Sequence, residues 1–290
     1  MQPKWTGKII TLAIESPMHF GERLTGNLRQ TRRYVPGRAI WGALTDRLTR
    51  LSGRVLPQDF ERVGDIVHRA LRFSYGFLSA SPDKIDHWPW ADREYFDWLH
   101  VQSYSSTSLR DGRSKEDGSL HETEFLAPRT RDGKQTNLLF SLWRDEAAFA
   151  AAGLADPLDE RFWDGFAFGG ERGYGWGRVR AAQQFLPSPS DLFGLWTVTD
   201  DFHVTATRQA RILSHVLASA GPAISGPVEV VIGREARIRN GNGGYLETAV
   251  PGVQLSDALS MYSPGSEVAC DQLTVQIGKY GMWVGLESRP

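Results

Sequence analysis

The sequence predicts an α+β chain of two units, and three observations carry that reading. An apolar strand pattern at 8–16 is followed by a basic loop and then a helix beginning at Pro36. A glycine-rich run separates a helical stretch from another strand near residue 176. After Pro187-Ser188-Pro189-Ser190 the pattern changes to short strands. Proline and serine clustered between patterned segments mark a linker. The units are therefore expected at 1–186 and 195–290, joined by 187–194.

Each element follows from its own residues. In Lys8–Ser16, Ile10, Leu12 and Ile14 alternate with Ile9, Thr11 and Ala13, a period of two with both faces apolar enough for burial. Pro17–Tyr34 is irregular and basic, with Arg23, Arg29, Arg32 and Arg33 against the single acid Glu22. Proline suits the first position of a helix, so Pro36 opens one. Ile40, Leu44, Leu48 and Leu51 then form one apolar stripe, and Gly53 ends it.

Leu71–Ser79 reads as a second strand, whereas residues 81–100, rich in Trp, Asp and Pro, show no clear period. Ser103–Gly118 holds almost nothing apolar and is expected to be an exposed loop or the tip of a long hairpin. Glu122–Leu126 and Leu138–Trp143 flank Asp132-Gly133 and are expected to pair as strands. Ala147–Gly165 is mainly helical with a break near Pro157, and Trp176–Phe185 is a strand. Beyond the linker, strands are expected at Trp196–Thr199, Val228–Ile232, Val253–Leu255, Met261–Ala269 and Leu273–Leu286.

At 290 residues the chain has room for one or two domains. Its 41% apolar and 23% charged content is ordinary for a globular protein. A net charge of −1 gives no global pull toward polyanions, so any such binding must rest on local patches. The cations are six lysines and 27 arginines. That skew fits recognition of phosphates and bases by flat guanidinium groups, and high genomic GC content produces the same skew. Cys270 stands alone, which excludes a disulfide framework and a CxxC metal site. No apolar run approaches the about 18 residues that span a bilayer, and no secretion signal is evident, so a cytoplasmic protein without membrane contact is expected.

The densest functional signal is Phe168–Val179, with five glycines and two arginines within positions 169–179. Glycine admits positive φ and close backbone approach, successive N–H groups can converge on an anion, and arginine adds forked donors. The candidate phosphate-gripping residues are Gly169, Gly170, Arg172, Gly173, Tyr174, Gly175, Gly177 and Arg178. Tyr174 offers a face for base stacking, while Trp176 beside a strand reads as packing. The amino end of the first helix, at Gly37 and Arg38, is a second candidate phosphate site, because helix N-termini present free N–H groups. The patch Arg23, Arg29, Arg32 and Arg33 is a third. In the second unit, Arg234, Arg237 and Arg239 precede Asn240-Gly241-Asn242-Gly243-Gly244, a basic hairpin or an RNA-facing surface. His121-Glu122-Thr123-Glu124 lacks the helical histidine pair of a zinc hydrolase and reads as a strand end. No metal or cofactor is expected.

Three segments resemble the RAMP superfamily of CRISPR effector proteins. Arg33–Leu44 (RYVPGRAIWGAL) is similar to that family's IPGSSLRGAL segment at the first helix. The glycine run is similar to its GGxRxxGxG hallmark, and the two stand in the family's order. Tyr262–Val268 (YSPGSEV) resembles the PAGSV segment of the subunit that caps the guide RNA 5′ handle. Arg38 and Ala39 replace small hydroxylated residues of the family pattern. Pro17–Val35 contains no aspartate, which RAMP backbone subunits that cut target RNA carry before the first helix.

The resemblance implies a ferredoxin-like, RRM-like unit followed by a degenerate second one. It implies a non-catalytic subunit of a type III complex that binds crRNA at its 5′ handle, with other effector subunits, both backbone and large, as partners and target RNA nearby. Alternatives are a backbone subunit lining the guide, or a metal-independent crRNA-processing endoribonuclease using His19. The loop at 103–120 would be the hairpin that touches neighbouring subunits. On this reading the glycine loop and the amino end of the first helix share one groove.

Overall fold

The computed structural model describes residues 5–107, 109–110, 114–115, 120–187, 190–199, 201–218, 223–232, 234–237, 252–255 and 258–289. The first strand, β1 (Trp5–Ile14), buries Ile10, Leu12 and Ile14 completely, as its alternation requires. The expected irregular stretch instead contains a hairpin, β2 (Gly21–Thr25) and β3 (Leu28–Thr31), turning at Gly26 with φ 57°. Its residues are largely exposed, so no hydrophobic alternation announced it.

Helix α1 (Gly37–Leu51) takes Pro36 as N-cap rather than as its first helical residue, and Gly53 follows its end with φ 71°. Ile40, Leu44 and Leu48 are fully buried, while Leu51 in the last turn is 48% exposed. A second helix, α2 (Pro57–Ala70), packs beside it; Asp59 accepts the Leu56 N–H at 3.2 Å, and Val63, Ile66, Val67 and Ala70 form the buried stripe.

The segment 71–79 is two short strands, β4 (Leu71–Phe73) and β5 (Phe77–Ser79). Helix α3 (Arg93–His100), capped by Asp92, arises inside the aromatic region that showed no period. It runs into β6 (Val101–Ser106); the two-residue strands β7 (Leu109–Arg110) and β8 (Ser114–Lys115) pair beyond it, and the rest of 108–119 lies outside the described residues. Strands β9 (His121–Leu126) and β10 (Asn137–Asp145) follow but do not pair with each other. Their patterns explain why. Residues 137–143 are all buried and demand a central position, whereas β9 alternates and suits a sheet with one wet face.

Helix α4 (Glu146–Ala152), capped by Asp145 and ended by Gly153, is followed by a single 3-10 turn at Glu160–Trp163. Then come β11 (Phe166–Ala167), the glycine run, β12 (Arg178–Ala181) and β13 (Leu186–Pro187).

The first sheet has the order β11-β12-β1-β10-β4, all antiparallel, with β5 also on β10 and β13 on β1. Helices α1 and α2 pack on one face through Ile10, Leu12, Ile40, Leu44, Leu48, Val63, Phe140 and Leu142. A separate outer sheet has the order β2-β3-β9-β6, with β3 and β9 parallel.

The second unit comprises β14 (Asp191–Leu192), β15 (Trp196–Val198), β16 (His203–Thr207), β17 (Val216–Leu217), β18 (Ile224–Ser225), β19 (Val228–Val231), β20 (Arg234–Arg237), β21 (Gly252–Leu255), β22 (Leu259–Tyr262), β23 (Glu267–Val268), β24 (Gln272–Ile277) and β25 (Trp283–Arg289). Eight of these form one sheet, β14-β15-β16-β24-β25-β17-β22-β19. Among the described residues after 190 there is no α-helix, whereas a degenerate RRM-like unit implied helices. Arg234 and Arg237 lie on β20; Arg239 and Asn240–Gly244 lie outside the described residues.

The second core joins the first unit to the second. Trp196 and Trp283 meet edge to face at 4.5 Å, and Val204, Leu273 and Val275 share a cluster with Tyr34, Tyr75, Phe77 and Trp143. The face of the first sheet opposite its helices is thus covered in part by the second unit, through Phe202 and Phe193, and in part by the first unit's own segment 82–90, through Pro82, Trp88 and Trp90. No helix among the described residues is long and apolar enough to cross a membrane.

Candidate nucleic-acid interface

The glycine run folds back on the segment after β1. Gly170 N–H donates to the His19 carbonyl at 2.9 Å and Gly177 N–H to the Pro17 carbonyl at 2.7 Å. At Gly177, with φ 85°, a Cβ would collide with the Phe168 carbonyl. Gly169, with φ 78°, presses on the His19 carbonyl in the same way. Within the loop, Tyr174 N–H donates to Glu171 and Gly175 N–H to Arg172. Four of the amides expected to cradle phosphate therefore already donate inside the chain. Gly173 and Gly175 face open space.

The side chains of the run remain outward. Tyr174 is 84% exposed, and Arg178 is exposed with no ion-pair partner among the described residues. Arg172 is half-exposed and 3.9 Å from Asp46. Trp176 packs edge-on to Phe125 at 5.2 Å, as a core-like tryptophan would, and also forms a wall of a cleft.

That cleft, of about 550 Å³, lies between the glycine run and the outer sheet. Its sheet wall follows from strand register. Arg29 on β3 aligns with Thr123 on β9, and Thr123 with Tyr104 on β6; His121 aligns with Ser106 one step along. Side chains in register share a face, so Arg29, Thr123, Tyr104, His121 and Ser106 all reach the cleft, opposite Glu171, Tyr174 and Trp176. Arg29 spans it, 3.4 Å from Glu171. Two exposed tyrosines, Tyr104 and Tyr174, thus flank an arginine in a volume typical of small-molecule and nucleotide sites.

The other predicted cations have different places. Arg23 is exposed on β2, bonded to Gln30. Arg32 meets Glu229 of the second unit through two parallel bonds, at 3.0 and 2.6 Å. Arg33 is buried, bidentate to Asp97 at 2.9 Å and within 3.3 Å of both Glu124 and Glu22. Burial alone would lower its pKa, but these carboxylates raise it above its ordinary value. The expected open patch with one acid is therefore halved. Its acids come from 64 and 91 residues away, which local composition could not reveal.

The amino end of α1 is sealed. Gly37 is buried and a Cβ there would strike the Tyr280 carbonyl, while Arg38 lies over the Tyr280 ring at 3.9 Å. The glycine run instead neighbours Asp46, more than two turns along the helix. The expected shared groove is corrected accordingly: the glycine loop opens onto the outer sheet, not onto the start of α1. Gly37 has a packing reason of its own.

His19 is held under the glycine run, with Nδ1 2.8 Å from the Glu124 carbonyl. His121 Nε2 lies 2.8 Å from Ser106 Oγ. Among the described residues no three His, Cys, Asp or Glu side chains gather as metal ligands. Tyr104, Ser106 and Thr123 escaped the sequence reading. The signal was present as the period-two series Gln102, Tyr104, Ser106, masked by its polar character.

No protein-family model matches the sequence, and no curated protein matches it. Among solved structures, a chain of a Type III-B Cmr-beta complex bound to cognate target RNA and AMPPnP is similar over 90% of this chain and 85% of its own, with 12% identity and a TM-score of 0.46. A chain of Cmr-beta bound to cognate target RNA matches 62% of this chain and 96% of its own, with 10% identity and a TM-score of 0.43. A chain of the apo state matches 63% and 97%, with 10% identity and a TM-score of 0.38.

Proposed function

We propose that this chain is a non-catalytic RNA-binding subunit of a type III CRISPR RNA-guided complex, holding crRNA at its 5′ handle. The observation that carries the RNA reading is the cleft between the glycine run and the outer sheet. Tyr104 and Tyr174 are exposed stacking faces, Arg29 supplies a cation within the cleft, and Arg172 and Arg178 are exposed on the same glycine run. Aromatic faces interleaved with arginine suit unpaired nucleotides, whose bases stack and whose phosphates attract guanidinium groups. With loop amides engaged internally, side chains carry the binding. The CRISPR assignment and the capping position rest on the RAMP-like motifs. The order β12-β1-β10-β4, with α1 and α2 between β1 and β4 and α4 between β10 and β12, supports reading the first unit as ferredoxin-like.

The test is co-purification of the complex from cells carrying the cognate CRISPR array. One copy of this chain per guide, with guide-length RNA lost from the R172E/R178E double variant, is the expected result. Several copies along each guide would instead indicate a backbone subunit, and unchanged RNA retention would overturn the interface. Repeat RNA incubated with the purified chain should remain intact. Cleavage abolished by His19→Ala would make the protein a processing nuclease instead.

A further inference from the structure

We propose a second ligand site, at the seam between the two units, that binds a phosphate monoester through Arg72 and Lys279. It does not depend on the RNA cleft described above. A cleft of about 420 Å³ is lined by Arg72 of β4 and, from the second unit, by Phe202, Gln276, Lys279 and Met282, with Asp201 at its edge.

Arg72 is the informative residue. One terminal nitrogen donates to the carbonyls of His68 and Leu71 at 2.7 and 2.9 Å, closing the end of α2. Its guanidinium lies 5.6 Å from the Trp5 ring centroid, while its Nε and other terminal nitrogen meet no hydrogen-bond acceptor, and no carboxylate pairs with it, among the described residues. Three other partly buried arginines differ. Arg32, Arg33 and Arg144 each meet carboxylates and are raised in pKa, whereas burial lowers that of Arg72. A half-buried cation lacking a counter-ion is unfavourable, and a bound anion relieves it. Among the described residues Asp201 is the one acid lining the cleft; it accepts from Thr199 at 2.5 Å and lies 2.9 Å from His203, and makes no contact with Arg72 or Lys279.

The opposite wall is built on tight turns. Phe202 and Tyr280 hold left-handed backbone, with φ 65° and 58°, a conformation uncommon for bulky residues. Gly278 N–H donates to the Met282 carbonyl at 2.8 Å, which fixes the turn carrying exposed Lys279. Two cations match the double charge of a phosphate monoester, and Phe202 and Met282 offer apolar surface to the group that bears it. A free nucleoside monophosphate and the 5′-phosphorylated end of an RNA strand share this chemistry.

The test is calorimetric titration of the full chain with 5′-AMP, adenosine, and one short oligoribonucleotide bearing either a 5′-phosphate or a 5′-hydroxyl. AMP is expected to bind and adenosine not. Lys279→Glu should weaken AMP about tenfold or more, the size of one lost charge-assisted contact. Arg72→Lys should weaken it less than Arg72→Met, and Arg178→Glu, at the end of the glycine run, should leave it unchanged. If Arg72→Met fails to fold because α2 loses its closing donor, the exposed Lys279→Glu still decides. The strands are compared in the R172E/R178E background, which removes the other RNA site; there, binding of only the 5′-phosphorylated strand, or of AMP alone, identifies the source and supports the site in either case. Absence of AMP binding with the two strands bound equally or not at all, equal binding of adenosine, or ligand affinity unaffected by Lys279→Glu would overturn it.

Discussion

Arg29 and Arg33 are four residues apart and have opposite fates. Arg29, on the cleft side of β3, is half-exposed and has one long contact to Glu171. Arg33, just past the strand, is buried among Asp97, Glu124 and Glu22. Only the first kind of arginine is positioned to exchange its partner for a phosphate. Truncation of Tyr174 to Ala should cost RNA affinity about 1–3 kcal/mol, the worth of one base stack, with little change in stability. Fluorescence anisotropy with a short single-stranded RNA reads the first quantity and urea denaturation the second. A second residue-scale expectation concerns His100, which is fully buried against Phe96 with neither ring nitrogen bonded among the described residues. Burial pushes its pKa down to about 4. Since an unfolded histidine titrates near 6.5, the unfolded chain takes up the proton first. Stability should therefore fall as pH drops from about 6.5 to 4, by up to about 3 kcal/mol. Replacement by Phe should flatten that slope in urea titrations at a series of pH values.

Among elements, the glycine run separates conformational need from function. Gly177→Ala places a Cβ against the Phe168 carbonyl at positive φ and should destabilise the fold by about 1–3 kcal/mol. Gly173→Ala meets open space at ordinary φ and should be neutral or stabilising by about 0.4–1 kcal/mol. Thermal unfolding of the two variants makes the comparison. The strands and helices legible in advance were those whose apolar period is strong: β1, the Ile40–Leu48 stripe of α1, β10, β15, β19 and β21; the runs expected at 261–269 and 273–286 each break into two strands, and β16, β17 and β18 went unread. Helix α2 carried its own signals, Pro57 at the first position, Asp59 closing on Leu56 and the stripe Val63, Ile66, Val67 and Ala70, yet it went unread. The hairpin β2–β3 had no apolar face to read. The pairing of β9 and β10 was misjudged because a turn signal at Gly133 says nothing about which neighbours two strands choose. That choice was settled by the burial each strand could sustain.

At the scale of the molecule, the two units are tied by a polar network as well as by an apolar seam. Glu229 accepts from Arg32 and Ser263, and lies 2.8 Å from His215, whose other ring nitrogen is 2.8 Å from the Tyr75 hydroxyl. Burial would raise the Glu229 pKa, but the bonds from His215 and Arg32 hold it well below the usual carboxylate range. A depressed acid contributes stability above its unfolded pKa and loses it as pH falls. Acid unfolding should therefore proceed in two stages, His100 first and Glu229 below about 4.5. Glu229→Gln leaves Arg32 half-buried without its counter-ion and should cost about 3 kcal/mol, with the lower stage lost from the acid profile. Nothing in local sequence linked Arg32 to a glutamate nearly two hundred positions away, so this part of the presumed RNA patch was illegible.

The second unit's position over the first sheet has a wider consequence. The sheet face left bare by the helices is largely taken up inside the molecule. On the proposed reading, a nucleic-acid partner settles instead on the outer sheet, set apart from the core that keeps the molecule folded. Residues of that sheet can then change one by one while the seam between the units and the buried tryptophans stay untouched.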